Sequence, residues 1–262
     1  MVSAGLSLSD GRSPEEIITD LIGRMEGVVI DAVAPSIEAD ETCDDLLAVY
    51  PMGDPHVGLY AWGEETGGAN FDLRTAKSIH LAAMRELVDS GPAASTAIVA
   101  NLGDFFHSDS ASNATPQSGH ALDVDGRRAR VLDFGLATIV GVVGIALNVH
   151  RKVVLENVIG NHDPESALFL SVALDAYYRD EPRVEVVKSA RAFRYHRFGS
   201  NLIGLTHGDG CKRTELEPVM AADRPADWGA TSFRYWLTGH VHHTRREEYR
   251  GCIVETFRTL AP

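Results

Sequence analysis

The chain has 262 residues, is 44% hydrophobic and 23% charged, and carries a formal net charge of -13. That is a balance able to bury a full core, and an acidity that argues against a nonspecific nucleic-acid coat. A nuclease is not excluded, because bound cations make a cleft locally positive. Three cysteines, Cys43, Cys211 and Cys252, are widely spaced and form no CxxC pair, which argues against a disulfide framework or zinc knuckle and for a reducing, cytoplasmic setting.

Residues 1–44 read as an N-terminal appendage and residues 45–262 as the working domain. Ser13-Pro14-Glu15-Glu16 offers a cap, a first-turn proline and a capping box, and Ile17, Ile18, Leu21 and Ile22 give the helix that follows an apolar face. A linker spans Pro35 to Thr42. No basic segment precedes an apolar core here, so no signal peptide is expected. Leu46 to Tyr50 is the first core strand, stopped by Pro51-Met52-Gly53. Asp72 to Ser90 has helical spacing through Ile79, Met84, Leu87 and Val88 and ends at Gly91-Pro92. Ala94 to Leu102 is a strand. Ser108 to Asp125, rich in Ser, Asn, Pro and Gly, is a long loop of the kind that serves a site or is disordered.

Gly126 to His150 is helical. Its apolar stretch, Ala137 to Val149, is too short and too close to charges for a membrane span and reads as buried. Lys152 to Ile159 is a strand, and Pro164 opens a helix to Tyr178. Short runs follow at Val184 to Val187, Ala192 to Phe198, Asn201 to Thr206, Tyr235 to Thr238 and Cys252 to Phe257, predicting a mostly antiparallel second sheet. The fold expected is α/β, a four-layer α-β-β-α sandwich of two packed mixed sheets with flanking helices.

Five islands of Asp, Asn and His follow apolar runs: Asp54-Pro55-His56, Gly103-Asp104-Phe105-Phe106-His107, Gly160-Asn161-His162-Asp163, Thr206-His207-Gly208-Asp209 and Gly239-His240-Val241-His242. Glycine at a strand end lets the chain turn sharply and aims the next side chain above the sheet rim, where open α/β sheets place their sites. Hard oxygens and imidazoles in that number suit two borderline divalent ions. Each has a plainer reading alone. Asp54 before Pro55 is a turn residue, Asn161 caps the helix at Pro164, and His240 and His242 pack on one face of an alternating strand. Their joint occurrence in order favours the metal site.

The five islands resemble the calcineurin-like metallophosphoesterases, whose pattern is DxH, GDxx(D/H), GNH(D/E), a later His, and GHxH. The resemblance covers roughly residues 45–257. Gly103 to His107 looks most like the Mre11/SbcD-like DNA repair exonucleases. Ala61-Trp62-Gly63-Glu64-Glu65-Thr66-Gly67, Thr206 to Gly210 and Glu255 to Pro262 resemble phage-encoded phosphoesterases. The resemblance implies two divalent metal ions, Mn²⁺ foremost, with Fe, Zn or Ni able to serve. Asp54, His56 and His242 would hold one, Asn161, His207 and His240 the other, and Asp104 would bridge. A hydroxide bridging the ions would attack phosphorus. His162 would protonate the leaving group or stabilise the transition state, and Asp163 would orient its ring. His107, Lys212 and Arg213 are candidate substrate contacts.

These implications amount to a phosphodiesterase, with DNA among its substrates and no membrane partner. A phosphomonoesterase or cyclic-nucleotide phosphodiesterase shares the same cage, and a non-catalytic scaffold with the fold is the rival from another class. Nothing matches the capping domain of the Mre11-type proteins, which puts an ATPase partner in doubt. Oligomeric state is not written in the sequence.

Overall fold

The computed structural model describes residues 42–262; the expected helix at Ser13 and the linker to Thr42 lie outside them. The first sheet has the order β1 (Cys43–Met52), β2 (Ala94–Asn101), β3 (Lys152–Asn157), β4 (Val184–Val187). Helices fill every connection: α1 (Gly63–Thr66) and α2 (Leu73–Ser90) after β1, α3 (Arg128–Leu147) after β2, and α4 (Pro164–Tyr177) after β3. A helical crossover returns the chain in the same direction. All three strand pairings are therefore parallel, where two mixed sheets were expected.

The second sheet runs β5 (Arg194–Phe198), β6 (Asn201–Thr206), β7 (Phe233–Thr238), β9 (Ile253–Thr256), β8 (Arg245–Glu248). It is mixed, not mostly antiparallel. The β5–β6 and β8–β9 pairs are antiparallel, whereas β6–β7 and β7–β9 are parallel. For β6–β7 the cause is again a crossover, through a 3₁₀ turn at Arg213–Glu215, α5 (Leu216–Asp223) and α6 (Pro225–Ala230), while between β7 and β9 the chain goes out along β8 and returns. Strand β8, with sequence Arg-Arg-Glu-Glu, has no apolar alternation to announce it; it is an edge strand held by β9.

Three apolar layers separate the four structural ones. Ala97, Val99, Val153 and Leu155 face the helices, packing with Leu73, Met84, Ile139, Leu170 and Leu174. Their strand neighbours Ile98, Ala100 and Val154 face the other sheet and meet Ile203, Leu205 and Leu237. Leu202, Trp236 and Val254 face outward against Leu216 and Met220 of α5. The alternation along each strand is what makes both faces apolar. Burying each Leu or Ile contributes about 1.5–3 kcal/mol.

Helix α3 is, among the described residues, the one long and apolar enough to cross a membrane by length and composition. Val131, Leu136, Ile139, Val142 and Val143 instead pack into the layer between sheet and helices, the place its apolar stretch predicts. Helix α2 starts where expected, with the Asp72 carboxylate accepting the Thr75 N–H at 2.7 Å.

Register positions the site. Met52, Asn101 and Asn157 end their strands side by side, as do Thr206, Thr238 and Thr256 in the second sheet. Asp54, Asp104, Asn161, His207 and His240 all follow within a few residues of those ends, so two parallel rims deliver them to one place.

Candidate metal centre

The islands leave their strands through strained turns. Among the described residues, the non-glycine positions with positive φ are Asp54 (45°), His56 (45°), Asp104 (49°), Asn113 (50°), His240 (71°) and His242 (57°). All but Asn113 are candidate ligands. A left-handed backbone costs such residues about 1–3 kcal/mol each, and it persists where the surroundings enforce it. His240 and His242 accordingly sit in a loop beyond β7 and not on the alternating strand expected. The left-handed turns, not strand periodicity, aim both rings at the site.

Close approach by glycine makes room. A Cβ on Gly160 would overlap the backbone N and Oδ1 of Asp104, and one on Gly239 would lie 2.7 Å from Asp54 Oδ2. Asp54 is fully buried. Both its oxygens accept the His240 N–H at 2.9 Å, and its carbonyl accepts the Thr259 hydroxyl at 2.7 Å.

Donor atoms gather in two groups. In the first, His56 Nε2 lies 3.0 Å from His242 Nε2, which is 3.8 Å from Asp54 Oδ1. In the second, His207 Nε2 lies 2.9 Å from Asn161 Oδ1, 3.3 Å from Asp104 Oδ2 and 3.3 Å from His240 Nδ1. Asp54–His56–His242 and Asp104–His207–His240 are each compact enough to hold one ion, as are His56, His107 and His162.

The donor chemistry fits a cation. His207 Nδ1 is 2.9 Å from the Leu102 carbonyl, which can only accept, so that nitrogen carries the proton and a neutral ring turns a bare Nε2 toward two acceptor oxygens. Lone pairs crowded in this way need positive charge between them. A proton can supply it. Burial opposes a charged His207, but the Asp104 hydrogen bond and the charges of Asp104 and Asp54 outweigh it and lift the pKa to about 9. For Asp104, burial pushes upward while His207 pulls harder, leaving it well below the carboxylate range. For Asp54, burial wins over His207 and the His240 N–H, and the pKa rises to about 7.

His162 sits between the groups. Its backbone N–H donates to Asp104 Oδ1 at 2.7 Å, its Nδ1 donates to the His107 carbonyl at 2.8 Å, and its Nε2 is 4.0 Å from Asp104 Oδ2. The expected orienting partner, Asp163, does not hold the ring. The chain turns away after His162, and Asp163, fully buried, accepts the N–H of Phe106 at 2.9 Å and of Gly160 at 3.3 Å. It ties one island to another. Burial, reinforced by Asp104, raises its pKa to about 7.

His107 is buried inside the cluster, its Nδ1 3.3 Å from His56 Nδ1, and burial lowers its pKa to about 4. Lys212 and Arg213 are not brought to the cluster. Arg213 is committed to Glu247 at 2.8 Å and to Thr256, and Lys212 is exposed at the start of the 3₁₀ turn. Asn161 does not cap α4. Asp109 does, taking the Ser166 N–H at 2.8 Å and the Glu165 N–H at 3.2 Å.

Asp109 and Arg128 are the supporting residues that the motifs do not announce. The Arg128 guanidinium donates to the Ser108 carbonyl and to Ser166 Oγ and lies 5.0 Å over the Phe106 ring. An Asp or Ser immediately before a helix signals a cap, as Asp72 does for α2, but Asp109 caps a helix far along the chain, which local spacing cannot show.

No model of a known protein family matches the chain, and no curated protein does. Among solved structures it is similar to a conserved uncharacterised protein of Streptococcus pneumoniae described as a predicted phosphoesterase, at 13% identity over 81% of this chain and 72% of that one, with a TM-score of 0.30. It is similar also to a single mutant of Vps29 from Entamoeba histolytica, at 14% identity over 81% and 73%, with a TM-score of 0.34. A third is the phosphopantetheinyl hydrolase of Mycobacterium tuberculosis, at 11% identity over 83% and 91%, with a TM-score of 0.38. At such scores these likenesses carry no argument, and the chemistry must be read from the residues.

Proposed function

We propose that the chain is a phosphoesterase that uses two divalent ions to hydrolyse phosphodiesters, DNA among them, in the manner of the calcineurin-like metallophosphoesterases. The observation that supports it best is the convergence, from the rims of both sheets, of two groups of imidazole and carboxylate donors, each compact enough to hold one ion. Asp54, His56 and His242 would hold one ion and Asn161, His207 and His240 the other, with Asp104 between them. Bound there, two ions supply Lewis acidity toward the phosphoryl oxygens and acidify water. The set suits Mn²⁺, and equally Fe, Zn or Ni.

The residues do the rest. His162 Nδ1–H is fixed on the His107 carbonyl, so Nε2 is the atom turned to substrate. A proton taken up at Nε2 can be passed to the leaving oxygen, and the charged ring steadies the phosphoryl group meanwhile. Asp163 holds the Phe106 and Gly160 loops so that Asp104 and His162 keep their spacing. The buried walls around Asp54, His56, Asp104 and His207 exclude bulk water, which strengthens each charge interaction. Three unpaired cysteines suit a cytoplasmic setting.

The test is turnover of bis-p-nitrophenyl phosphate against p-nitrophenyl phosphate in Mn²⁺, with His162→Ala as control and metal content measured for Asp104→Asn. Faster diester turnover that collapses in His162→Ala is expected. Faster monoester turnover moves the assignment to a phosphatase. No turnover of either, with metal content unaltered by Asp104→Asn, overturns the reading.

A further inference from the structure

A cavity of about 210 Å³ lies between the end of β1, the middle of α2, Val142 of α3 and the segment after β9. None of the candidate metal ligands lines it. An apolar cavity of about 150 Å³ takes up benzene, whereas a site for a drug-sized molecule begins near about 300 Å³. One ring with a few further atoms is the size that fits here. Tyr50 and Phe257 give aromatic walls and Met52 and Met84 thioethers, and both kinds of wall favour an aromatic guest over an aliphatic one.

The floor of the cavity is buried and its rim is not. Tyr50, His80, Met84 and Val142 are buried, while Leu87, Thr244, Arg258 and Leu260 are exposed. On the floor, the Tyr50 hydroxyl is already taken by His150 at 2.8 Å. His80 is different. It is 4% exposed, and its Nδ1 lies 2.7 Å from the Ala76 carbonyl, one turn back in α2. A carbonyl only accepts, so Nδ1 carries the proton. Burial lowers the His80 pKa and keeps the ring neutral. The other edge of the ring, with a bare Nε2, turns away from the helix toward the cavity, and no described residue donates to it. A buried acceptor without a donor is costly, and a hydroxyl entering the cavity supplies what is missing.

The rim favours one sign of charge. The Arg258 side chain stands there with no hydrogen bond or ion pair to a described residue, and among the described residues no carboxylate shares the lining. We propose that this cavity is a binding site for a small aromatic anion that carries a hydroxyl group. The ring lies among Met52, Met84 and Phe257, the hydroxyl donates to His80 Nε2, and the carboxylate meets Arg258. The site is distinct from the metal centre and does not rest on the two-ion reading.

The test follows the ring nitrogens of the full chain, ¹⁵N-labelled at histidine, by NMR during titration with 4-hydroxyphenylacetate. Phenylacetate lacks the hydroxyl, and p-cresol lacks the carboxylate. The expected result is a shift of His80 Nε2 at millimolar 4-hydroxyphenylacetate, the range set by so small a ligand. Binding should weaken ~2–10-fold for phenylacetate and ~2–5-fold for p-cresol. Arg258→Gln should remove the preference for 4-hydroxyphenylacetate over p-cresol, and Ala83→Leu, which fills the cavity from α2, should abolish the His80 shift. Equal binding of phenylacetate and 4-hydroxyphenylacetate would overturn the proposal. So would a shift confined to His56, His242 and their neighbours, the sign of a carboxylate held at the donor groups, and so would a His80 that does not move. The comparison of probes is made on the wild type, so it decides the matter even where a variant fails to fold.

Discussion

Gly160 and Asp104 are packed so closely that the backbone of one leaves no room for a methyl group beside the carboxylate of the other. Asp104 also accepts the His162 N–H from the same loop. Gly160→Ala must therefore displace Asp104, which stands in the second donor group beside His207, without touching any of the three apolar layers. We expect bound metal to fall substantially and turnover to drop by ~100-fold or more, at least the loss that follows disturbance of a ligand's support, with the melting transition still cooperative. Metal analysis and kinetics on the variant check this, and wild-type metal content in it would contradict it.

Ion removal should lower stability measurably. Ions that bind the folded chain alone contribute about 2.7 kcal/mol at a hundred times Kd, which for a chain of this size corresponds to roughly 5–10 °C in Tm. Treatment with a chelator, followed by Mn²⁺ at rising concentration, should lower Tm and then restore it in a concentration-dependent way. An unchanged Tm throughout would argue that the donors hold no ion.

Arg128 grips the Ser108 carbonyl and Ser166 Oγ, joining the loop after His107 to the helix after His162. Lysine cannot reach two acceptors at once from one planar group. Arg128→Lys should thus reduce kcat by ~10-fold, at the low end for a supporting contact, while Mn²⁺ affinity stays closer to wild type. Equal losses in kcat and affinity would place Arg128 nearer the ions than its contacts do.

His150 gives stability a pH dependence remote from the site. Its Nδ1 donates to the Ala94 carbonyl, which leaves Nε2 to accept the Tyr50 hydroxyl at 2.8 Å. Burial lowers its pKa. As pH falls below about 6.5 the unfolded chain takes the proton first, so the His150 contribution is full above that value and is lost on acidification. Urea midpoints at pH 7.5 and pH 5 should differ less in His150→Gln than in the wild type. An identical difference would show that His150 is not the titrating group.

Glu156 fastens the two sheets at one edge. Buried between them, it accepts from His196 at 2.7 Å and faces the equally buried Arg194 Nη1 at 3.9 Å. Removing one partner of a buried pair strands the other, at a cost of about 3–5 kcal/mol. Glu156→Ala should be destabilised on that scale, and Glu156→Ala with Arg194→Met by less. Equal losses would mean that the pair is not coupled.

The sequence announced the first three strands of the first sheet, both long helices and the five islands, because apolar alternation, caps and Gly-Asp or Gly-Asn ends are local signals; it put Val184 to Val187 in the second sheet, whereas that strand pairs in parallel with β3 in the first, since a strand's own pattern does not say which edge it joins. It did not announce β8, whose Arg-Arg-Glu-Glu run has nothing apolar to alternate. Nor did it announce the parallel pairing around β7, since a crossover through two short helices leaves no periodic trace. At the site, residue types were legible and hydrogen-bond partners were not. The bond from His162 to the His107 carbonyl, and the contact of Asp163 with Phe106, join positions more than fifty residues apart. Arg213 reads in the sequence, with Lys212, as a candidate substrate contact; its pairing with Glu247 depends on the unforeseen strand.

The paired strand ends have a kinetic consequence. Asp54 and His240 meet across 186 residues of chain, and each donor group draws on both sheets. No fragment that lacks the last strands can present a complete set of ligands, and closing loops of that length is slow. An ion held by these residues would therefore be captured late in folding, by a latch that only the finished topology can close, and its uptake during refolding would time the docking of one sheet on the other.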